Sequence, residues 1–520
     1  MKQGSLRARR SRETTFLAPI GVVLTDLFEQ MNINNLHALA QDDSQDFYYD
    51  TSDLDLIRFG AILRFRSSTH RDFWNLQLFT KKGNRYIIHQ DLDYDGHSLE
   101  IPASLMDLLY AFHRSRTLVQ IGQIRTAQKT YKLHGVGGAL HDEIIDNDIS
   151  SSGALWKAKR FRKITVRDRV GSKAERGLLN SFESLVRVHG GFIASPAPEI
   201  LRVLGSEATV PFEILESHPD SSDRVYLIFQ RAIAFSMLRL LRFDPGVRLS
   251  SDPEMVHEFR VEVRRLRSDL RSFSSVIEPT EAANLRSELA WLGGEVGKVR
   301  DCDVLMGHVR DLSFECANND EPGFVILHSF LDDLGRRRRQ ALLEIFDTKR
   351  YSDLVNTTIN IGTGAVSIEN AADANQHHPS ARSSRNTIRR IVRRTWRKFV
   401  VSARQINSGS SDLELHRVRI LAKRCRYAAE TTLPLFGDPA KRFSSALAEV
   451  QDLLGKYHDC VFQEIWLRRI AEDLPEAQVA IGELILLMRQ ERQQLRSEWP
   501  ALLEKTSSPK LRRWLRTSDK

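Results

Sequence analysis

Two stretches of this chain, about 160 residues apart, carry one pattern: His-x-x-Arg-x-x-x-basic-Arg-x-Arg. The first is His257, Arg260, Arg264, Arg265 and Arg267; the second is His416, Arg419, Lys423, Arg424 and Arg426. Roughly forty residues after each comes a second shared string, Gly297-Lys298-Val299-Arg300-Asp301-Cys302 and then Gly455-Lys456-Tyr457-His458-Asp459-Cys460. Two strings matched in order and spacing indicate an internal duplication. The C-terminal half must therefore be built from two copies of one unit.

On a helix, positions 0, +3, +7 and +10 fall within an arc of roughly 80°. His257, Arg260, Arg264 and Arg267 then line one face, and Arg271 extends it to about 20 Å. Such spacing normally marks an apolar seam; here the seam is cationic. Phe259, Val263, Leu266, Leu270 and Phe273 take the opposite side, as do Val418, Ala422, Cys425 and Ala429 in the second copy. Each helix has one face for a core and one for something anionic. A solvated charge run would carry acids at i+4. The first arc holds none and the second only Glu430, so the repulsion along each stripe calls for an anion.

These strings resemble the CHAD domain, the conserved histidine α-helical domain, over about residues 220–505. The resemblance implies two antiparallel four-helix units related by pseudo-symmetry, with basic faces converging on a central groove. It implies inorganic polyphosphate as the ligand. Arginine offers a planar donor fork for phosphate oxygens and lysine a point charge. No aromatic is interleaved in the stripes, whereas a single-strand nucleic-acid groove would offer stacking platforms. Nucleic acid is the second choice of partner.

Other basic clusters are expected to rim the same groove. They include Arg337 in the run Arg336–Arg339, and Arg390 and Arg394 just before the second repeat. With Lys298, Arg300, Lys456 and His458 they complete the expected polyphosphate contacts. Residues 370–386, with His377 and His378, read as a flexible link between repeats of about 220–365 and 385–505. The helical domain as a whole is expected over 216–505.

The first 205 residues read differently. Alternation in Ile62–Arg66, Phe73–Leu78, Tyr131–Leu133 and Ile144–Asp146 predicts strands, with a helix near Ala103–Phe112. An α+β antiparallel β-tunnel or barrel over 8–205 is expected. Tyr48-Tyr49-Asp50-Thr51-Ser52-Asp53-Leu54 and Leu63-Arg64-Phe65-Arg66 resemble the CYTH domain of triphosphate tunnel metalloenzymes. That family holds a divalent metal with carboxylates inside a β-tunnel. Its opening Glu-x-Glu-x-Lys falls at Ser11-Arg12-Glu13-Thr14-Thr15, where only Glu13 matches; Gln77 replaces a tunnel lysine; its closing Glu-x-Glu-x-Glu reads Lys163-Ile164-Thr165-Val166-Arg167. Cations in place of carboxylates repel Mg²⁺, and Glu13, Glu143 and Asp146 cannot readily rebuild the site. No cofactor and no catalytic residue are expected. Arg64, Arg66, Arg125 and Lys132 could form a residual anion site.

A net charge of +9 favours polyanionic partners. Four cysteines without CxxC spacing suggest neither zinc nor disulfides. No apolar run suits a membrane span, and no signal-like core follows the basic first residues. The expectation is a cytoplasmic polyphosphate-binding protein, associated with polyphosphate granules. Its rivals are a metal-dependent triphosphatase or polyphosphatase and a nucleic-acid-binding protein. Asp301 and Asp459, beside Arg300 and His458, are expected to orient basic residues rather than to act as bases.

Overall fold

The computed structural model describes residues 12–31, 36–82, 85–96, 98–134, 140–168, 173–194, 197–208, 214, 225–249, 252–273, 279–316, 322–364 and 381–516. The chain divides into two compact units, Met1–Phe212 and Glu213–Lys520. The expected elements at Ser11 and at His377 and His378 lie outside the described residues.

The first unit is a nine-stranded antiparallel sheet in the order β5-β4-β3-β2-β6-β7-β8-β1-β9. Its strands are β1 (Arg12–Ala18), β2 (Leu36–Asp50), β3 (Ala61–Ser68), β4 (Asp72–Lys82), β5 (Arg85–Asp95), β6 (Val119–His134), β7 (Leu140–Gly153), β8 (Lys159–Asp168) and β9 (Phe192–Ala194). Side-chain alternation gives each strand two faces. On one face Phe16, Ile144, Ile164 and Val166 pack against Leu27 and Phe28 of α1 (Leu24–Gln30) and Phe182 of α5 (Lys173–Val188). On the other, Glu13, Arg64, Gln77, Thr126, Asn147 and Thr165 line one concave cavity, which α6 (Glu199–Leu204) helps to wall. Three short helices, α2 (Asp55–Arg58), α3 (Ala103–Leu108) and α4 (Tyr110–His113), complete the unit.

The second unit is helical: α7 (Val225–Leu249), α8 (Pro253–Ser272), α9 (Pro279–Ser313), α10 (Pro322–Phe346), α11 (Lys349–Thr363), α12 (Ala381–Arg404), α13 (Asp412–Thr431), α14 (Leu433–Asp473), α15 (Gln478–Thr506) and α16 (Pro509–Arg512). Helices α7–α10 and α12–α15 are the two copies. The linker reading needs correction, since α12 already begins at Ala381. Its arginines keep a helical period around the buried Ile388, Val392 and Trp396.

Capping fixes where the two stripe helices begin. Asp252 accepts from the Glu254 amide at 2.9 Å, with Pro253 as the first helical residue. Ser411 and Glu414 form a reciprocal capping box at the start of α13. His257 and His416 are thereby each the fifth residue of their helix. Phe259, Val263, Leu266, Leu270 and Phe273 are fully buried on the reverse face of the first stripe. The two helices lie side by side and run the same way: Arg265 pairs with Glu430, and Thr431 donates to Asp269 at 2.9 Å.

One apolar core joins the copies. Leu305 and Val309 of α9, Leu327 and Leu331 of α10, Leu467 and Ile470 of α14, and Leu484 and Met488 of α15 form a single cluster. Neither copy closes its own core there. Leu327→Ala is expected to lower stability by about 2–5 kcal/mol, with both helical halves melting in one transition during urea unfolding. Two separated transitions would show that the halves fold independently.

Candidate anion-binding site

The caps, the parallel packing of α8 and α13, and the long helices α9 and α14 bring both copies of both strings to one cavity of about 490 Å³. The first copy contributes His257, Arg260, Arg264, Arg300 and Asp301. The second contributes His416, Arg419, Lys423, Lys456, His458 and Asp459. Six Arg and Lys face three Asp there, Asp452 being the third.

The second string supports the first. Arg260 Nη1 donates to Asp301 Oδ1 at 2.6 Å, and Arg419 Nη2 lies 3.9 Å from Asp459 Oδ1. Each guanidinium lies against a glycine: a Cβ on Gly297 would sit a tight 3.3 Å from Arg260 Nη2, and one on Gly455 would make ordinary contact at 3.6 Å from Arg419 Nη2. The shared Gly-Lys-x-x-Asp string is thus a seat and a tether for the stripe arginine. Three buried nitrogens, the donors Arg264 Nε and Arg419 Nε and the ring nitrogen His416 Nδ1, have no hydrogen-bond partner among the described residues. Such groups are costly unless something answers them.

Crowding of like charge shifts the protonation equilibria. Burial, then Arg419, Arg264 and Arg260, bring Lys423 down to about 6. Burial, then Arg419, His416 and Lys423, push His458 down to about 4. His257 is lowered by burial and Arg300, and His416 by burial and Arg419. Asp459 is raised by burial, which outweighs Arg419.

Several expected contacts lie elsewhere. Arg265 does not face the cavity: it pairs with Glu430 and reaches Glu262 at 4.0 Å, inside a network that holds α8 to α13. Arg426 likewise donates to Glu430 at 2.7 Å. The sequence showed no acid beside the first stripe because these partners come from the wheel's edge and from the other repeat. Arg267, Arg271 and Arg424 gather with Arg286 in a second basic cluster, where crowding lowers Arg267 and Arg424 behind the effect of burial. Lys298 is exposed and pairs with Glu295 at 2.6 Å; Arg337, Arg390 and Arg394 are exposed and stand off the cavity. Arg338 caps a ring instead, 4.2 Å over Trp466. Sequence reasoning missed Gln451, Gln463 and Phe462 in the lining. Position on the Gly-Lys-x-x-Asp helix was the signal, since Phe462 is seven residues beyond Gly455 and about two turns along the same face.

The cavity of the first unit, about 410 Å³, contains both charge types in pairs. Arg64 and Arg66 hold Asp46 at 3.1 and 2.6 Å; Lys163 holds Glu199; Arg167 holds Glu13 and reaches Glu143 at 3.2 Å. Asp146 is held by Arg162. The positions Glu13, Thr15, Gln77, Lys163, Thr165 and Arg167 do line this cavity. Arg125 does not: Thr126 and Gln128 face inward, so its neighbour points out and meets Asp43 at 3.7 Å. Lys132 is half-buried and outside the lining.

Residues 231–468 match the CHAD domain family. Two Mycobacterium tuberculosis proteins, both named as uncharacterized, are 26% identical over 434 residues, spanning 80% of this chain and 79% of theirs. A crystal structure of the CHAD domain from the plant Ricinus communis aligns at 24% identity and TM-score 0.42, covering 57% of this chain and 95% of that one. A Hippeastrum adenylyl cyclase candidate, titled as having a dominant triphosphatase activity, aligns at 12% identity and TM-score 0.24, covering 39% and 99%. No described helix is long and apolar enough to cross a membrane.

The protonation pattern places the expected pH response on Lys423. A bound polyanion reverses the field that holds Lys423 at about 6, so binding takes up a proton between there and the ordinary lysine value of about 10.4. Affinity for triphosphate is expected to rise as pH falls through that window, by up to about tenfold per unit, and to level off below it. Titration calorimetry at pH 8 in two buffers of different ionisation enthalpy should show uptake of nearly one proton, lost in Lys423→Met. Equal heats in both buffers would refute it.

Proposed function

We propose, from the premise that residues 231–468 are a CHAD domain, that this protein binds inorganic polyphosphate in the basic cavity between its two repeats. The observation that carries this reading is the convergence of six basic side chains from both repeats on one cavity with only three acids. Each phosphate unit of the polymer brings about one charge and acceptor oxygens suited to arginine forks. Arg267, Arg271, Arg286 and Arg424 continue the cationic surface beyond the cavity, which suits a ligand longer than one phosphate group. Association with polyphosphate granules would follow from such binding.

The proposal includes no catalytic step. Asp301 is committed to Arg260, and in the N-terminal unit Glu13, Asp46 and Glu199 of the cavity, with Glu143 beside it, are each bridged by a guanidinium or an ammonium. A divalent ion would have to displace those cations before it could act as a Lewis acid. Triphosphate or polyphosphate incubated with the protein and Mg²⁺ or Mn²⁺ is expected to release no phosphate above the blank. Metal-dependent release would favour the triphosphatase reading.

A nucleic-acid reading retains one observation: Phe462 lines the cavity, its ring 6.4 Å from that of His458 and 5.7 Å from that of Trp466. Aromatic rings of that kind can stack bases. Polyphosphate titration over a salt series separates the readings. Binding should be salt-sensitive, resist displacement by duplex DNA and single-stranded RNA at equal phosphate, and weaken by about 100-fold or more in Arg260→Glu with Arg419→Glu. Equal displacement by nucleic acid would transfer the site to that partner, and unchanged binding in the double variant would remove it from this cavity.

A further inference from the structure

Behind the wall of the basic cavity, three helices bring together residues that the binding reading leaves unused. His308 of α9, Cys460 of α14 and Glu491 of α15 place His308 Nε2 2.9 Å from Glu491 Oε2, and Cys460 Sγ 3.5 Å from the same oxygen. All three ligand atoms lie within 4.8 Å of one another. In a tetrahedral site with bonds of the usual zinc lengths, ligand atoms stand about 3.3–3.8 Å apart, so small side-chain adjustments would accommodate an ion at their centre.

The surroundings match what such an ion needs. Gln463, almost fully buried, sets its Oε1 2.5 Å from His308 Nδ1. When His308 Nδ1 donates there, its Nε2 lone pair is turned toward Cys460 and Glu491; metal-bound histidines are oriented by this kind of second hydrogen bond. The thiol sits in the apolar cluster shared by the repeats, while His308 and Glu491 are partly exposed and leave a route for solvent. Cys302, the duplicate of Cys460, has no such company. Its thiol donates to the Leu331 carbonyl at 3.8 Å, and a Cβ on Gly335 would be 3.8 Å from its sulfur. The ligand set is therefore a departure from the duplication, without a counterpart around Cys302 among the described residues.

We infer that His308, Cys460 and Glu491 form a site for one divalent transition-metal ion of the zinc class, with water as the fourth ligand. A thiolate, an imidazole and a carboxylate favour zinc or cobalt over magnesium or calcium. On binding, Cys460 releases its thiol proton to solvent and the thiolate bonds to the ion, with no change of oxidation state. Because the ligands come from α9 of one repeat and from α14 and α15 of the other, the ion would clamp the two copies together.

The test uses the full chain, purified without a histidine tag and stripped with a chelator. Co²⁺ and Zn²⁺ are titrated, with Mg²⁺ as control. One equivalent of Co²⁺ should bind with a thiolate-to-cobalt charge-transfer band, and Zn²⁺ should displace it and raise the melting temperature; Mg²⁺ should do neither. Cys460→Ser should abolish the charge-transfer band, and Glu491→Gln, at a partly exposed position that folding tolerates, should weaken binding tenfold or more. No stoichiometric binding, or a charge-transfer band unchanged in Cys460→Ser, overturns the inference. Polyphosphate binding is measured separately on the stripped protein, so either reading can fail alone.

Discussion

Cations crowded into a half-buried concave surface repel one another, and the architecture of the helical unit follows from holding them there without cancelling them. One arginine of each stripe has a carboxylate on one side and a glycine against it: Arg260 with Asp301 and Gly297, Arg419 with Asp459 and Gly455. The aspartates fix orientation and offset part of the charge. The remaining excess stays available, as the depressed Lys423 and the unanswered nitrogens of Arg264 and Arg419 show. Burial of Phe259, Val263 and Leu266 on the reverse face supplies the apolar free energy that keeps such a surface folded.

The N-terminal sheet contains the same residue types with the opposite outcome. Its cavity is ringed by Arg64, Arg66, Lys163 and Arg167, yet Asp46, Glu199 and Glu13 answer them within the same cavity, and Arg167 also reaches Glu143. Basic residues alone therefore do not define an anion site; the local balance does. In the helical unit the excess belongs to the surface, whereas in the sheet the charge is largely spent on internal pairs.

Much of this was legible in the sequence, for a physical reason. The duplication, the helical period of the stripes and the alternation of the strands are local patterns, and the residues on each stripe's core face are buried as the wheel requires. What stayed hidden was long-range. Glu430 meets Arg265 across 165 positions, so no window along the chain could show that Arg265 is occupied. Arg125 was misplaced by one position of strand alternation, which reverses its face. His308, Cys460 and Glu491 carry no spacing signature because each stands on a different helix. The histidines matched the pattern, but their lowered protonation comes from burial and from basic neighbours such as Arg419 and Lys423, which only the folded helices bring around them.

The duplication brings equivalent positions of both copies to one cavity, as in a two-fold dimer whose subunits share one patch. In a true dimer any substitution would alter both walls at once. Here the walls belong to one chain and have diverged: Arg264 stands against Lys423, Arg300 against His458, and Val304 against Phe462. A linear anion identical at both ends, if seated there, would therefore meet two different surfaces and take on a direction that it lacks by itself.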